Sequence, residues 1–281
     1  MPKATLDGLE VYYEIYGSGP PLLMLAPGGF DATIEKWRTA SAWTGLDALQ
    51  TLSAGHRLIV YDRRESGRSG GRVERIGWSS YSRQAKALLD HLGIDAAHVM
   101  GGCMGCSVAL SFAVDYPSAT RSLVLHWPVG GYRWKAAGLE RFARHYRFTA
   151  ERGLAAVVER ARTGKSFWAD PEAGPWASVI DQDEEFARGF SALDPERYLG
   201  IVTTSGRALF DRDTATGAEP EQLLGVKAPA LIVPGDDASH ATSAAHYLRE
   251  CLPNATFWNI ALQEQTTRKI CDRVLEFCRT H

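Results

Sequence analysis

The chain has 281 residues, of which 45% are hydrophobic and 23% charged, which is ordinary for a soluble globular protein. This length predicts one large domain with an insertion, or two small domains, with a core that needs neither disulfides nor metal. The formal net charge of −2 gives no electrostatic reason to expect a nucleic acid or a membrane as partner.

The ends and the cysteines of the chain indicate its surroundings. The first residues lack the apolar segment of a signal peptide, and no apolar run approaches the roughly 18 residues that span a bilayer. Five cysteines, an odd number, favour free thiols over a disulfide framework. We therefore expect a cytoplasmic protein that acts on a small-molecule substrate and has no cofactor and no bound metal. The oligomeric state stays open, with a homodimer as one candidate.

Strands and helices alternate over most of the chain. In order, the hydrophobic patterns predict a strand at 9–16 in an N-terminal hairpin and further strands at 21–25, 56–61, 97–100, 122–125, 230–233 and 255–260. Helical spacing of apolar residues predicts helices at 82–92, 103–116, 242–252 and 266–279. This alternation predicts an α/β fold, with a mainly parallel sheet covered by helices on both faces.

The stretch 127–224 differs from the rest. It is rich in Arg, Glu, Ala and aromatic residues, contains helical pieces at 138–148 and 153–162, and has no convincing strand. An all-helical insertion at this point would lie over the carboxyl ends of the strands, where open α/β sheets bind ligands. We therefore predict a core domain formed by 1–126 and 225–281 and a helical lid formed by 127–224.

A short motif between a predicted strand and a predicted helix carries the chemistry. Gly101 and Gly105 stand two positions before and after Cys103, the pattern G-x-nucleophile-x-G of a sharp strand-to-helix turn that tolerates no bulk at those positions. A thiol at a helix N-terminus has a lowered pKa, which favours the thiolate. The backbone N–H of Met104 would point at the same place.

Three further segments occur at matching spacing. They are Ala26-Pro27-Gly28-Gly29, Tyr61-Asp62-Arg63-Arg64-Glu65-Ser66-Gly67-Arg68-Ser69, and Ile232-Val233-Pro234-Gly235-Asp236-Asp237. With the Cys103 motif, they make the chain resemble the α/β-hydrolase fold superfamily, in its lidded branch, over nearly its whole length.

The resemblance implies an eight-stranded sheet and a role for each motif. Cys103 would be the nucleophile, where most of the family has serine, and the N–H groups of Gly29 and Met104 would bind the oxyanion. Asp237 would be the acid, and the segment with Arg63 and Arg64 would be mainly structural, although either arginine could reach the mouth of the site.

The sequence departs from the family where the catalytic histidine is expected. The region after the last predicted strand contains no histidine, and Gln263 and Glu264 occupy that neighbourhood. His240, three residues beyond Asp237, is a candidate base, although a loop histidine bonded to backbone is an equally good interpretation. His126 ends a predicted strand beside Trp127, so the two are candidate substrate-pocket residues, with a structural role slightly favoured for His126.

The leading functional hypothesis is a hydrolase or acyltransferase that forms an acyl-enzyme on Cys103 with a small, partly apolar ester, lactone or thioester. One alternative is a non-hydrolytic enzyme of the same fold that cleaves C–C bonds, eliminates or isomerises. Another is a ligand-binding protein that lacks the catalytic base. Cys103 and Cys106 also form a C-x-x-C motif, which leaves a redox dithiol as a further option.

Overall fold

A computed structural model describes residues 2–40, 43–44 and 46–281 of the chain. Its eight strands are β1 (Lys3–Leu6), β2 (Leu9–Tyr16), β3 (Pro21–Leu25), β4 (Arg57–Tyr61), β5 (Ala97–Gly102), β6 (Thr120–His126), β7 (Ala230–Val233) and β8 (Ala255–Phe257). They form one sheet in the order β1-β2-β4-β3-β5-β6-β7-β8. The predicted eight-stranded, mainly parallel sheet is confirmed.

The strand directions bring the predicted motifs to one edge of the sheet. β1 and β2 pair antiparallel, as do β2 and β4, and every later pairing is parallel. From β3, the chain adds β4 on one side and β5 on the other, so the strand order reverses there. Because ligands bind at the carboxyl ends of the strands near such a reversal, the fold itself places a site at the ends of β3, β5, β6 and β7.

Helices cover both faces of the sheet. They are α1 (Lys36–Thr39), α2 (Ala48–Ser53), α3 (Trp78–His91), α4 (Met104–Asp115), α5 (Tyr132–Ala161), α6 (Ala177–Gln182), α7 (Glu184–Ser191), α8 (Pro195–Leu209), α9 (Pro220–Leu224), α10 (Thr242–Cys251) and α11 (Thr267–Thr280). The helices predicted at 103–116, 242–252 and 266–279 begin and end within one residue of the observed bounds. Buried side chains form two clusters, one containing residues of α3 and α4, the other residues of α2 and α11.

Between β6 and β7, residues 127–224 form the helices α5 to α9 and the loops that join them. The two pieces predicted at 138–148 and 153–162 are joined in α5, where Gly153 has a non-helical conformation with φ 77° and ψ 171°. Gly130 forms isolated bridges to Ala215 and to His240, so the start of the segment touches the loop after β7. No helix within the described residues is both long and apolar enough to cross a membrane.

The last predicted strand was too long. β8 ends at Phe257 rather than at residue 260, because its neighbour β7 ends at Val233 and then turns away at Pro234 and Gly235. Beyond the Phe257 pairing, only the N–H of Trp258 still bonds to Ile232. The chain then passes through a short turn at Leu262–Glu264 into α11.

Candidate active site

Cys103 occupies a strained turn between β5 and α4. Its φ of 53° and ψ of −124° lie where a residue with a Cβ is rarely found, at a cost of about 1–3 kcal/mol. A Cβ on Gly101 would lie 2.4 Å from the carbonyl oxygen of Gly105, and one on Gly105 would lie 2.1 Å from that of Leu25. The two glycines are therefore needed for close packing of the turn, which holds the thiol at the N-terminus of α4.

Asp237 and His240 form an ion pair on the loop after β7. His240 Nδ1 is 2.8 Å from Asp237 Oδ2 and 2.9 Å from Oδ1. Asp237 Oδ1 also accepts hydrogen bonds from the backbone N–H groups of Ser239 and His240, at 2.8 and 3.0 Å. One carboxylate therefore both shapes the turn and orients the imidazole that the turn carries.

The imidazole of His240 interacts with the thiol of Cys103. Burial by itself raises the pKa of the thiol, but the nearby imidazole of His240 and its charge, and then the backbone N–H groups of Met104 and Gly28, outweigh burial, so the pKa falls below its usual value. Burial lowers the pKa of His240, yet Cys103 and then Asp237 raise it, to about 9. His240 also lowers the pKa of Asp237 against the effect of burial. These shifts all favour the charged forms, which would be a thiolate, an imidazolium and a carboxylate in a row.

The geometry between the thiol and the imidazole is loose. His240 Nε2 is buried and forms no hydrogen bond of ordinary geometry with the residues that the structure describes. Nδ1 is held by Asp237, so Nε2 is the ring nitrogen left to interact with Cys103. Catalytic hydrogen bonds are often long without a substrate and tighten when one binds.

The loop after β3 lies on the other side of the thiol. The N–H of Gly28 contributes to lowering the pKa of Cys103. Gly29, which the sequence indicated as an oxyanion donor, lines a cavity that Cys103 also lines. The carbonyl of Gly29 accepts a hydrogen bond from the buried guanidinium of Arg63. Arg63 therefore stabilises this loop and does not reach the mouth of the site. Arg64 forms ion pairs with Glu65 and Glu74.

His126 ends β6, and Trp127 follows it at the same edge of the sheet. The two rings are stacked, 5.4 Å apart and 10° from parallel. Trp127 Nε1 donates to Oε1 of Gln265 at 2.6 Å, and Gln265 Nε2 donates to the carbonyl of Pro234 at 2.9 Å. Sequence reasoning singled out Gln263 and Glu264 in this region and missed Gln265, whose buried amide fixes Trp127 close to the site.

Two cavities meet at Cys103. The inner cavity, of about 170 Å³, is bounded by Pro27, Ala40, Trp43, His126 and Trp127. The outer cavity, of about 330 Å³, is bounded by Asp31, Lys36, Trp134, Trp168 and Ser239. Gly28, Ala40, Cys103 and His240 line both. A larger cleft of about 650 Å³ lies elsewhere, beside α3 and α8, and none of these groups lines it.

Few of the aromatic side chains of 127–224 face the site. Trp134 and Trp168 line the outer cavity with their rings stacked 5.3 Å apart. Phe167 and Trp176 are buried in the core instead, and Tyr146 is exposed. The aromatic content of the segment therefore mainly builds its own core.

Cys106 lies in the first turn of α4 and faces inward. It is fully buried, and its thiol contacts the carbonyl oxygens of Gly101 at 3.1 Å and of His126 at 3.3 Å. Burial raises the pKa of this thiol well above its usual value. These contacts are those of a small core residue. Among the described residues, no group of three or more His, Cys, Asp or Glu side chains is arranged to hold a metal ion.

A family model described as the alpha/beta hydrolase fold matches residues 21–161. This match covers half of the chain and includes Cys103 and the loop after β3. The chain therefore belongs to the α/β-hydrolase fold family.

Similar proteins bear the names of hydrolases. A putative carbamate hydrolase RutD of Caulobacter sp. is 26% identical over 262 residues, which are 91% of this chain and 88% of that protein. A second RutD, of Azorhizobium caulinodans, is 32% identical over 125 residues, and the match spans 44% of this chain and 43% of that protein. A 2-hydroxy-6-oxo-6-phenylhexa-2,4-dienoate hydrolase of Comamonas testosteroni is 32% identical over 134 residues, 46% of this chain and 44% of its own length.

Solved structures show the same fold over the full length. A meta-cleavage product hydrolase from Pseudomonas fluorescens superposes with a TM-score of 0.65 at 17% identity, covering 100% of this chain and 98% of that one. An enol-lactonase from Burkholderia xenovorans does so with a TM-score of 0.63 at 20% identity, covering 99% and 100%. At these identities the likeness is one of fold.

Proposed function

We propose that the protein is a cysteine hydrolase that cleaves a small, partly apolar ester, lactone or thioester through an acyl-enzyme on Cys103. The observation that carries the proposal is the row formed by Cys103, His240 and Asp237 at the meeting point of two cavities. Nucleophile, base and orienting acid in this arrangement are the requirements of acyl transfer.

In the first half of the reaction the thiolate of Cys103 attacks the substrate carbonyl. The carbonyl oxygen becomes an oxyanion, which the N–H of Met104 and an N–H of the Gly28-Gly29 pair would stabilise. The imidazolium of His240 then gives its Nε2 proton to the departing oxygen or sulfur. The bond to the leaving group breaks, and a thioester to Cys103 remains.

In the second half, water replaces the leaving group. His240, now neutral, takes a proton from the water as the water attacks the thioester carbonyl. The thioester bond breaks, the acid is released, and the thiolate–imidazolium pair is restored. Asp237 holds Nδ1 throughout, so Nε2 stays directed at the reacting atoms.

Further support comes from the relatives and from the cavity sizes. The relatives carry the names of hydrolases, including a carbamate hydrolase, so carbamates belong in the substrate panel. Cavities of about 170 and 330 Å³ suit small substrates. In this proposal residues 127–224 act as the lid, because Trp134, Ser166 and Trp168 of that segment line the outer cavity.

The test is a covalent adduct located by intact mass. The protein is mixed with activated esters, thioesters, lactones and carbamates and quenched within the first turnover, with Cys103→Ala and Cys106→Ser treated alike. An acyl adduct in wild type and in Cys106→Ser that is lost in Cys103→Ala supports the proposal. Turnover that persists in Cys103→Ala, or no adduct with any donor across pH 6–9, overturns it.

A second candidate is hydrolysis of a carbon–carbon bond in a 2-hydroxy-6-oxodienoate. The relatives named as hydrolases of such compounds favour it, at 31–32% identity over less than half of the chain. In that case His240 and Asp237 would move protons, so Cys103→Ala should keep substantial activity on a dienoate while Asp237→Asn loses it. The ligand-binding alternative assumed a missing base, and the imidazole of His240 beside the thiol weighs against that assumption.

A further inference from the structure

A buried imidazole, that of His126, lines the inner cavity. The side chain of His126 is 1% exposed, and across residues 2–40, 43–44 and 46–281 its Nε2 finds no hydrogen-bond partner. Buried polar atoms are nearly always hydrogen-bonded, and one without a partner calls for an explanation. The other walls of this cavity, such as Pro27, Trp43 and Trp127, are mainly apolar.

The ring of His126 is held in place. Its backbone carbonyl accepts hydrogen bonds from the N–H of Cys103 at 3.0 Å and from the Cys106 thiol at 3.3 Å. The ring is stacked on Trp127, and the ring of Trp43 lies 4.7 Å away. Because the backbone carbonyl is bonded to the Cys103 turn and the ring packs against two indoles, the imidazole cannot swing towards another partner without disturbing that turn.

The imidazole is neutral at every pH of interest. Burial, and after it the charge of His240, lowers the pKa of His126 to about 3. A neutral imidazole has one N–H donor and one acceptor nitrogen. The inner cavity therefore offers a hydrogen bond to an uncharged polar atom, in a site with no fixed charge besides the pair at Cys103 and His240.

The acyl group of the substrate belongs in the inner cavity. Once the acyl-enzyme has formed, the leaving group must depart and water must enter while the acyl chain stays bound. The inner cavity is bounded by buried Trp43 and His126, whereas the larger outer cavity lies beside half-exposed Lys36 and Ser166. The leaving group can depart and water can enter through the outer cavity only if the acyl chain occupies the inner cavity.

We propose that the inner cavity selects a short oxygenated acyl group, whose hydroxyl, ether or keto oxygen hydrogen-bonds to the imidazole of His126. This inference rests on the proposed function and names the substrate class for that site. A volume of about 170 Å³ has room for about five or six water-sized groups at about 30 Å³ each, so the acyl group has about that many heavy atoms.

The test compares substrates that differ by one atom. Wild-type protein is assayed with p-nitrophenyl esters in two matched pairs, methoxyacetyl against butanoyl and 3-methoxypropanoyl against pentanoyl. Each kcat/KM is divided by the rate of hydroxide hydrolysis, which removes intrinsic reactivity. We expect the ether to be preferred by about tenfold or more in at least one pair, as for a buried hydrogen bond.

The matched variants locate the preference. His126→Phe keeps a ring but removes both nitrogens, and the preference should fall to near one. His56→Phe makes the same change at another buried histidine with an unpartnered ring nitrogen, at the opposite end of the sheet, and should keep the preference. Thermal unfolding of both variants shows whether each is folded.

Each outcome has a distinct meaning. Ester hydrolysis with no ether preference in either pair overturns the inference and leaves the proposed function standing, and so does a preference that survives in a folded His126→Phe. The wild-type ratios decide the matter even if His126→Phe does not fold. No hydrolysis and no adduct with any ester overturns the proposed function and this inference with it.

Discussion

Asp237 and His240 lie three residues apart on one loop, and the carboxylate binds both the imidazole Nδ1, at 2.8 Å, and the backbone N–H of the same histidine, at 3.0 Å. The acid and the candidate base therefore come from a single turn after β7. The region after β8, where the family places its histidine, instead supplies Gln265, which holds Trp127. In the proposed mechanism the base reaches the thiol from a different strand end than the family resemblance implied.

The thiolate state of Cys103 should depend on His240. At pH 7.5, iodoacetamide should alkylate Cys103 faster than an ordinary thiol, because its pKa lies below the usual value of 9.0. In His240→Gln only burial and the backbone N–H groups still act on the pKa of Cys103, so this pKa should rise. The rate of alkylation at pH 7.5 should then fall by about tenfold for each unit of that rise. Partly buried Cys251 is the internal control, and its alkylation rate, followed by peptide mapping, should be the same in both proteins. Equal alkylation of Cys103 in both proteins would refute the ion pair.

The alkaline limb of the pH profile should report His240. Its pKa is raised to about 9, so kcat/KM should fall as pH rises through that value and the imidazolium loses the proton that the leaving group needs. Asp237→Asn removes one of the causes that raise this pKa, so the limb should move to lower pH. Its activity should also fall by about 10² or more, since the imidazole loses its orienting charge. A limb that stays in place would contradict the assignment of Asp237.

Gly235 should be needed for the position of His240. A Cβ at Gly235 would lie 2.6 Å from Cβ of His240 and 3.2 Å from Trp127, so Gly235→Ala should push the imidazole aside. A displacement near 1 Å costs about 10² in rate, which steady-state kinetics will detect. Gly189→Ala, where nothing lies within 4 Å of the added carbon, is the control. Wild-type kinetics in Gly235→Ala would show that this packing does not matter.

Cys106→Ser should separate the hydrolase from a redox dithiol. The serine hydroxyl can donate to the carbonyl of Gly101 or to that of His126, both of which the thiol contacts, so the fold should lose no more than about 1 kcal/mol. Ester hydrolysis should stay near the wild-type rate, because the Cys106 thiol takes no part in the proposed steps. Loss of ester hydrolysis in a folded Cys106→Ser would favour the C-x-x-C hypothesis.

Gln265→Leu should loosen the wall of the inner cavity. The substitution leaves the indole N–H of Trp127 and the carbonyl of Pro234 without the amide that binds them, which should cost about 1–3 kcal/mol in the free energy of unfolding. KM should rise more than kcat falls, since Trp127 borders the cavity but does not touch the reacting atoms. Gln263 is exposed, so Gln263→Leu is the control and should change neither the free energy of unfolding nor KM. Equal stability of the two variants would contradict a structural role for Gln265.

Local sequence determined the fold and the sharp turn at Cys103. The alternating patterns predicted the sheet because each strand and helix must bury its own apolar face, a property that a short window of residues reveals. The strand predicted at 21–25 has the bounds of β3. Gly101 and Gly105 identified the Cys103 turn because the steric constraint involves only neighbours along the chain and one adjacent strand.

The tertiary structure decided which groups face the thiol. From sequence, His240 was no better as a base than as an ordinary loop histidine, because whether its ring meets Cys103 depends on how the ends of β5 and β7 are placed across the sheet. The same holds for Gln265, which is unremarkable in sequence and acts through Trp127 138 residues earlier. The end of β8 was likewise set by its neighbour, since a strand continues only where a partner is available. The sequence therefore specified the elements and the Cys103 turn, whereas contacts between distant segments brought His240, Asp237 and the cavity walls together around that turn.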